Sequence, residues 1–168
     1  MDRLWAPWRK AYIRPDKKKS RACVFCSLLR NRARSRDYLL AQTRLCFAVL
    51  NLYPYNNGHV LVLPRRHVAS PWDLTDAEKL DWLDLAARVQ GAIEKKIHPH
   101  GFNLGINLGS AAGAGIPGHL HLHIVPRWIG DSNFMPIVGG VKVISESLRS
   151  VYRELKPELE KAGRKSKR

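Results

Sequence analysis

Three histidines alternate with leucines in His119-Leu120-His121-Leu122-His123, and Ile124-Val125 follows. Successive side chains of an extended strand point to opposite faces, so the three imidazoles share one face while Leu120, Leu122 and Ile124 share the other. A single histidine on a strand is ordinarily satisfied or exposed, but three titratable rings in register make poor core material. Two chemistries use such a row. One is a metal chelate made by neighbouring histidines. The other is a phosphoryl-handling centre, in which a neutral imidazole attacks phosphorus while its second ring nitrogen is held as a donor by a backbone carbonyl. Residues 110–118, Ser-Ala-Ala-Gly-Ala-Gly-Ile-Pro-Gly, carry side chains too small to obstruct a phosphate, and their amides could line an anion-binding concavity. A plain flexible loop has the same composition.

A second reactive pair is Cys23-Val-Phe-Cys26, whose spacing lets two thiolates share one tetrahedral ion. Three cysteines in all suit a metal site in a reducing compartment better than a disulfide framework, and Cys46 reads as a free core thiol. A redox pair is the weaker reading, because no helix-opening context is evident around Cys23.

The elements that must position these groups form an α+β pattern, an antiparallel sheet of about five strands with helices against one face. Residues 38–42 and 45–50 are short apolar runs compatible with neighbouring strands, and residues 51–58, with Pro54 and Asn56-Asn57-Gly58, read as the turn to a third strand at 59–63 closed by Pro64. Thr75 and Glu78 have capping-box spacing, so a long helix starts there. Leu80, Leu83, Leu85, Ala86, Val89 and Ile93 recur at helical intervals until Pro99. Residues 102–108 and 119–125 supply two more strands. Residues 145–155 form a C-terminal helix with Leu148, Val151, Tyr152 and Leu155 on one face and Pro157 just beyond.

With 168 residues, 45% of them hydrophobic, and five tryptophans, the chain is long enough for one domain with a real core. Residues 1–14 hold no continuous apolar stretch, so neither a signal peptide nor a membrane span is visible, and a soluble cytoplasmic protein is expected. The formal charge of +15 favours anionic partners, whether nucleotides or nucleic acids, although much of it lies near the two ends. Residues 1–22, with Trp5, Trp8 and Tyr12 among charges, read as an extended arm docked by its aromatics.

The run from His119 to Val125 resembles the signature of the histidine triad superfamily: His, any, His, any, His, then two apolar residues. The resemblance covers roughly residues 23–140, including Asn51, the stretch from Asn57 to Pro64, residues 103–109, and His123 to Trp128. Residues 130–136 are similar to the bacterial diadenosine polyphosphate phosphorylase branch. The resemblance implies a HIT-like domain over 23–140, between the arm at 1–22 and a helix and basic tail at 141–168. It also implies that His121 is the nucleophile, taking a nucleoside monophosphate as an adenylyl-histidine that water or inorganic phosphate releases. His123 would hydrogen-bond the transferred phosphate, Asn51 and His59 would lie near the sugar and the histidines, and Asn107 near the phosphates, with Arg127 and Trp128 reaching the same anion. Many hydrolase members carry Gln or Ser about four residues before the first triad histidine, where this chain has Gly115. The contact made there to the bridging or leaving oxygen is therefore missing or supplied elsewhere. Several branches hold structural zinc with a cysteine pair, a later histidine and the first triad histidine, which by position are Cys23, Cys26, His67 and His119.

The resulting expectation is a nucleotidyl transferase cleaving diadenosine polyphosphates by phosphorolysis, with a nucleotide hydrolase or nucleoside phosphoramidase as the near alternative. Related proteins are commonly homodimers, and the helix from Thr75 with the aromatic arm would supply an interface. Two other classes are deadenylation of nucleic-acid ends held by the basic termini, and a non-catalytic nucleotide-binding module.

Overall fold

A computed structural model of the chain describes residues 23–30, 38–132 and 143–165; the arm at 1–22, residues 133–136 and the last three positions, 166–168, lie outside the described residues. Helix α1 is Val24–Arg30. Strands β1 (Leu39–Gln42), β2 (Cys46–Leu50) and β3 (Val60–Pro64) follow, then helix α2 (Asp76–Ile97), strands β4 (Gly101–Ile106) and β5 (Leu122–Arg127), and helix α3 (Leu148–Lys165). The strands make one antiparallel sheet in the order β1-β2-β3-β5-β4. This is the expected α+β architecture.

One face of the sheet carries the main core. Leu40, Ala48, Val62, Leu120, Leu122 and Ile124 pack there against Leu85, Val89 and Ile93 of α2 and Val151, Leu155 and Leu159 of α3. The other face carries a smaller cluster, Phe25, Leu39, Phe47, Val49, Leu61 and Leu63, so that α1 caps it through one buried aromatic. The α2 cap is as expected: the Thr75 hydroxyl accepts from the Glu78 N–H, and the Glu78 carboxylate accepts from the Thr75 N–H. Beyond Ile97, His98 adopts a left-handed conformation and Pro99 follows.

Three expectations are corrected. The strand carrying the histidines begins at Leu122, not His119. Val62 pairs with Leu122, so the next like pairing would set Pro64 against Leu120, and Pro64 has no N–H to give; the Leu120 N–H turns instead to the Val68 carbonyl at 2.6 Å. On α2, Leu80 and Leu83 are 73% and 61% exposed, because the stripe that meets the sheet is Trp82, Leu85, Ala86, Val89, Ala92 and Ile93, anchored by the Trp82 indole donating to the Val62 carbonyl. Finally, α3 runs through Pro157 to Lys165. The proline removes one intrahelical hydrogen bond, and burial of Leu155 and Leu159 on either side of it outweighs that loss.

Candidate active site and metal centre

Leu61 of β3 pairs with His123 of β5 and points into the smaller cluster, so His123 shares that face. His59, His119, His121 and His123 are all buried there. His121 and His123 stand 4.9 Å apart between ring centroids, and His59 and His123 5.1 Å. The leucines and Ile124 go to the helix side, as the alternation requires.

Backbone groups fix the tautomers. The Tyr55 N–H donates to His59 Nδ1 at 3.0 Å, which makes Nδ1 an acceptor and leaves the proton on Nε2. His59 Nε2 lies 2.9 Å from His123 Nδ1 and donates to it. Burial, with His121 adding to it, pushes His123 down to about 4, so the ring is neutral near pH 7 and carries its proton on Nε2. That N–H is buried with no hydrogen-bond partner among the described residues. His121 Nδ1 lies 2.7 Å from the His119 carbonyl and can only donate to it, which leaves the Nε2 lone pair as the ring's nucleophilic position. A donor and a nucleophile of adjacent imidazoles therefore stand side by side.

His119 faces a different partner set. Its Nε2 donates to the Pro64 carbonyl at 3.0 Å, so Nδ1 carries the lone pair. The Nδ1 atoms of His119 and His67 are 3.3 Å apart, Cys23 Sγ is 3.4 Å from His119 Nδ1, and Cys26 Sγ is 3.4 Å from His67 Nδ1 and 3.6 Å from His119 Nδ1. Zinc with Zn–S of about 2.3 Å and Zn–N of about 2.0–2.1 Å in a tetrahedron requires N···N edges of about 3.4 Å and S···N edges of about 3.6 Å. The donor set fits that polyhedron, and all four ligand atoms lie within 4.8 Å of one another. Burial, followed by the neighbouring Cys23 thiol, raises the Cys26 thiol, and burial lowers His119; both directions favour neutral groups when no cation is bound. Cys23 directly precedes α1 and its carbonyl accepts from the Ser27 N–H, a helix-opening position that the sequence did not reveal.

Of the remaining expected site residues, Asn51 joins the cluster: its amide nitrogen is 3.3 Å from His59 Nδ1 and its carbonyl accepts from the Tyr53 N–H. Asn107 directly follows β4, whose register ends with Ile106 paired to Leu122. Gly115 is exposed in the loop ahead of the histidines, where the N–H groups of Gly113, Ala114 and His119 close turns within the loop. Arg127 and Trp128 are not brought to the histidines. The Arg127 guanidinium grips Asp131 through Nε and Nη2 at 2.6 and 2.7 Å and reaches Asn103 through Nη1, holding the Asp131 carboxyl well below the usual range. The Trp128 indole donates to the His98 carbonyl. Both lock the turn after β5, and Arg127 is six residues, about 20 Å of strand, from His121. Two contact residues escaped sequence reasoning. The Phe25 ring packs on His119 and His121, and the Tyr55 ring stacks within 9° of parallel on His123 and tilts against His59. Neither carries a spacing signal, since both stand among residues that read as a ligand motif or a turn.

Comparison with known proteins gives the same picture. The HIT domain family model matches residues 32–128. The chain is 41% identical over 165 residues to the AP-4-A phosphorylase of Mycobacterium tuberculosis strain H37Rv, covering 94% of this chain and 84% of that one. It is 43% identical over 90 residues to the asymmetrical bis(5'-nucleosyl)-tetraphosphatase of Schizosaccharomyces pombe, covering 54% and 49%. Among solved structures, a zinc-bound histidine triad family protein from Mycobacterium smegmatis superposes with a TM-score of 0.68 at 24% identity, over 84% of this chain and 96% of the other.

Proposed function

The chain belongs to the histidine triad (HIT) family, and from that membership we propose that it is a nucleotidyl transferase that cleaves diadenosine polyphosphates by phosphorolysis. The observation that carries the reading is the His119 carbonyl holding His121 Nδ1–H, which leaves Nε2 as the nucleophile. The Nε2 lone pair attacks an α-phosphorus, an N–P bond forms, and the P–O bond to the leaving nucleoside polyphosphate breaks. The His123 Nε2–H hydrogen-bonds the phosphate under transfer, where negative charge accumulates. An oxygen of inorganic phosphate then attacks the same phosphorus, the N–P bond breaks, and a nucleoside diphosphate leaves. His59 keeps His123 in the donating tautomer, with Asn51 beside it toward the sugar and Asn107 and the loop at Gly115 toward the phosphates. The phosphorolytic branch is supported by 41% identity to the mycobacterial phosphorylase across most of the chain.

Cys23, Cys26, His67 and His119 would hold a zinc ion with no open coordination position, a structural site that ties α1 to the histidines. The tetrahedral edge lengths and the zinc-bound mycobacterial relative of the same fold support this assignment. Among the described residues no helix is long and apolar enough to cross a membrane. The reduced thiols such a site needs agree with a cytoplasmic setting. A homodimer formed through the uncovered edge of β4 completes the proposal, supported by exposed Leu104, Ile106 and Leu108 along that edge.

The test is turnover of diadenosine tetraphosphate with and without inorganic phosphate, for the wild type and His121→Ala. The expected result is ADP beside ATP only when phosphate is present, and no turnover by the variant. AMP beside ATP in water alone would replace phosphorolysis with hydrolysis. An equally active His121→Ala protein would overturn the catalytic assignment.

A further inference from the structure

Phe25 stands between the two thiols of the cysteine pair, on a helix of seven residues in which it is the one buried side chain. Its ring lies 5.4 Å from His119 at 70° and 5.6 Å from His121 at 50°. The residue between two candidate metal ligands thus touches both a third ligand and the candidate nucleophile. His119 supplies a second link, because its ring turns Nδ1 toward the thiols while its carbonyl holds His121 Nδ1–H. A helix of two turns does not persist on its own propensity, so its place on the sheet depends on Phe25 and on whatever binds the two sulfurs.

We propose that Phe25 is a positioning residue for His121, held against the imidazole by the Cys23, Cys26, His67 and His119 group when that group shares an ion. The proposal rests on the reading of His121 as nucleophile. The His119 carbonyl fixes one end of the imidazole, and the Phe25 ring restricts its swing about the remaining torsion. Attack on phosphorus needs the Nε2 lone pair in line with the departing oxygen, and a misplacement of about 1 Å costs about 100-fold in rate.

Three measurements on the full-length chain test the coupling. Phe25→Ala should lower kcat about 10-fold or more with zinc still bound at one ion per chain, whereas Phe25→Leu, which keeps an apolar prop, retains most of the rate. Stripping zinc from the wild type with a chelator should lower kcat to a similar degree and do little more to Phe25→Ala, since two changes acting through one contact are not additive. Nuclear Overhauser contacts between the Phe25 ring and the His121 imidazole should be present with zinc and lost after chelation, while the amide spectrum of the sheet remains that of a folded protein. Contacts that survive chelation unchanged, independent effects of variant and chelator, or wild-type kcat in Phe25→Ala would each overturn the proposal. If the wild-type protein forms no nucleotidyl adduct, the proposed reaction fails, and the Overhauser measurement still decides whether the ion holds Phe25 on His121.

Discussion

His121 and His123 are chemically identical side chains two residues apart, and their hydrogen bonds give them different work. A backbone carbonyl strips His121 of any role at Nδ1 except donation, whereas His123 receives at Nδ1 and is left with a proton on Nε2. The depressed His123 makes this division measurable. Its ordinary value is about 6.5 and it is about 4 when folded, so above pH 6.5 both the folded and the unfolded ring are neutral. Between those values the unfolded chain binds a proton that the folded chain refuses, and stability falls as pH is lowered, by up to about 1.4 kcal/mol per pH unit. Urea unfolding of the zinc-free protein at pH 7, 6 and 5 should show this decline, and His123→Asn should lessen it, with a remainder from His119, which burial also lowers. Glu78, held at about 2 by Arg66 and Thr75, starts to lose its contribution as pH falls into the usual carboxylate range, under the lowest of these three pH values. The histidines were legible in the sequence because a period of two is a strong signal. The tautomers were not, because they depend on carbonyls and amides of Pro64, His119 and Tyr55, whose direction no side-chain pattern encodes.

At the scale of elements, local chemistry fixed the start of α2 and left α1 and the far end of α3 unread. The Thr75 cap was legible because both reciprocal hydrogen bonds depend on residues three apart. Thr75→Ala should cost about 1 kcal/mol, read as a lower denaturant midpoint with an unchanged slope. Pro157 misled in the opposite direction: proline is a sound stop signal locally, yet Val151, Leu155 and Leu159 together bury a face against α2 and β1 that the chain keeps by carrying the helix across it. The conflict predicts that Pro157→Ala restores the missing hydrogen bond to the Arg153 carbonyl and stabilises the protein by about 1–3 kcal/mol, a rise of a few degrees in Tm. An unchanged or lower Tm would mean that the ring itself packs in a way its neighbours need. The start of β5 was misjudged for a related reason, since the histidine spacing continues past the point where Pro64 ends the ladder.

For the whole molecule, the surfaces left uncovered carry the argument. Leu104 and Ile106 share a face of β4 with the direction taken by Leu122 and Ile124 on β5, yet they are 50% and 36% exposed, because α2 lies mainly over β2, β3 and part of β5 and, of the apolar residues on that face of β4, Phe102 is the one packed against the core. Exposed Leu80, Leu83 and Ala87 run along α2 at helical spacing away from the sheet. An edge strand with free N–H and C=O groups beside apolar side chains is a template for pairing, and a second copy offers the same edge in the antiparallel sense with its own exposed helix face. The family resemblance pointed to the Thr75 helix with the aromatic arm as an interface; the exposure of β4 was not legible, because an exposed and a buried strand of this composition look alike before the helix is placed. Leu104→Lys sets a charge at the centre of that edge and should convert a species of twice the chain mass to one of single mass in sedimentation equilibrium, with the monomer still folded. Because Asn107 directly follows the last paired residue of β4, the same variant should also weaken nucleotide binding if pairing steadies that strand end. A wild-type protein already of single mass would remove the dimer and leave the histidine chemistry untouched, since each imidazole contact described lies within one chain.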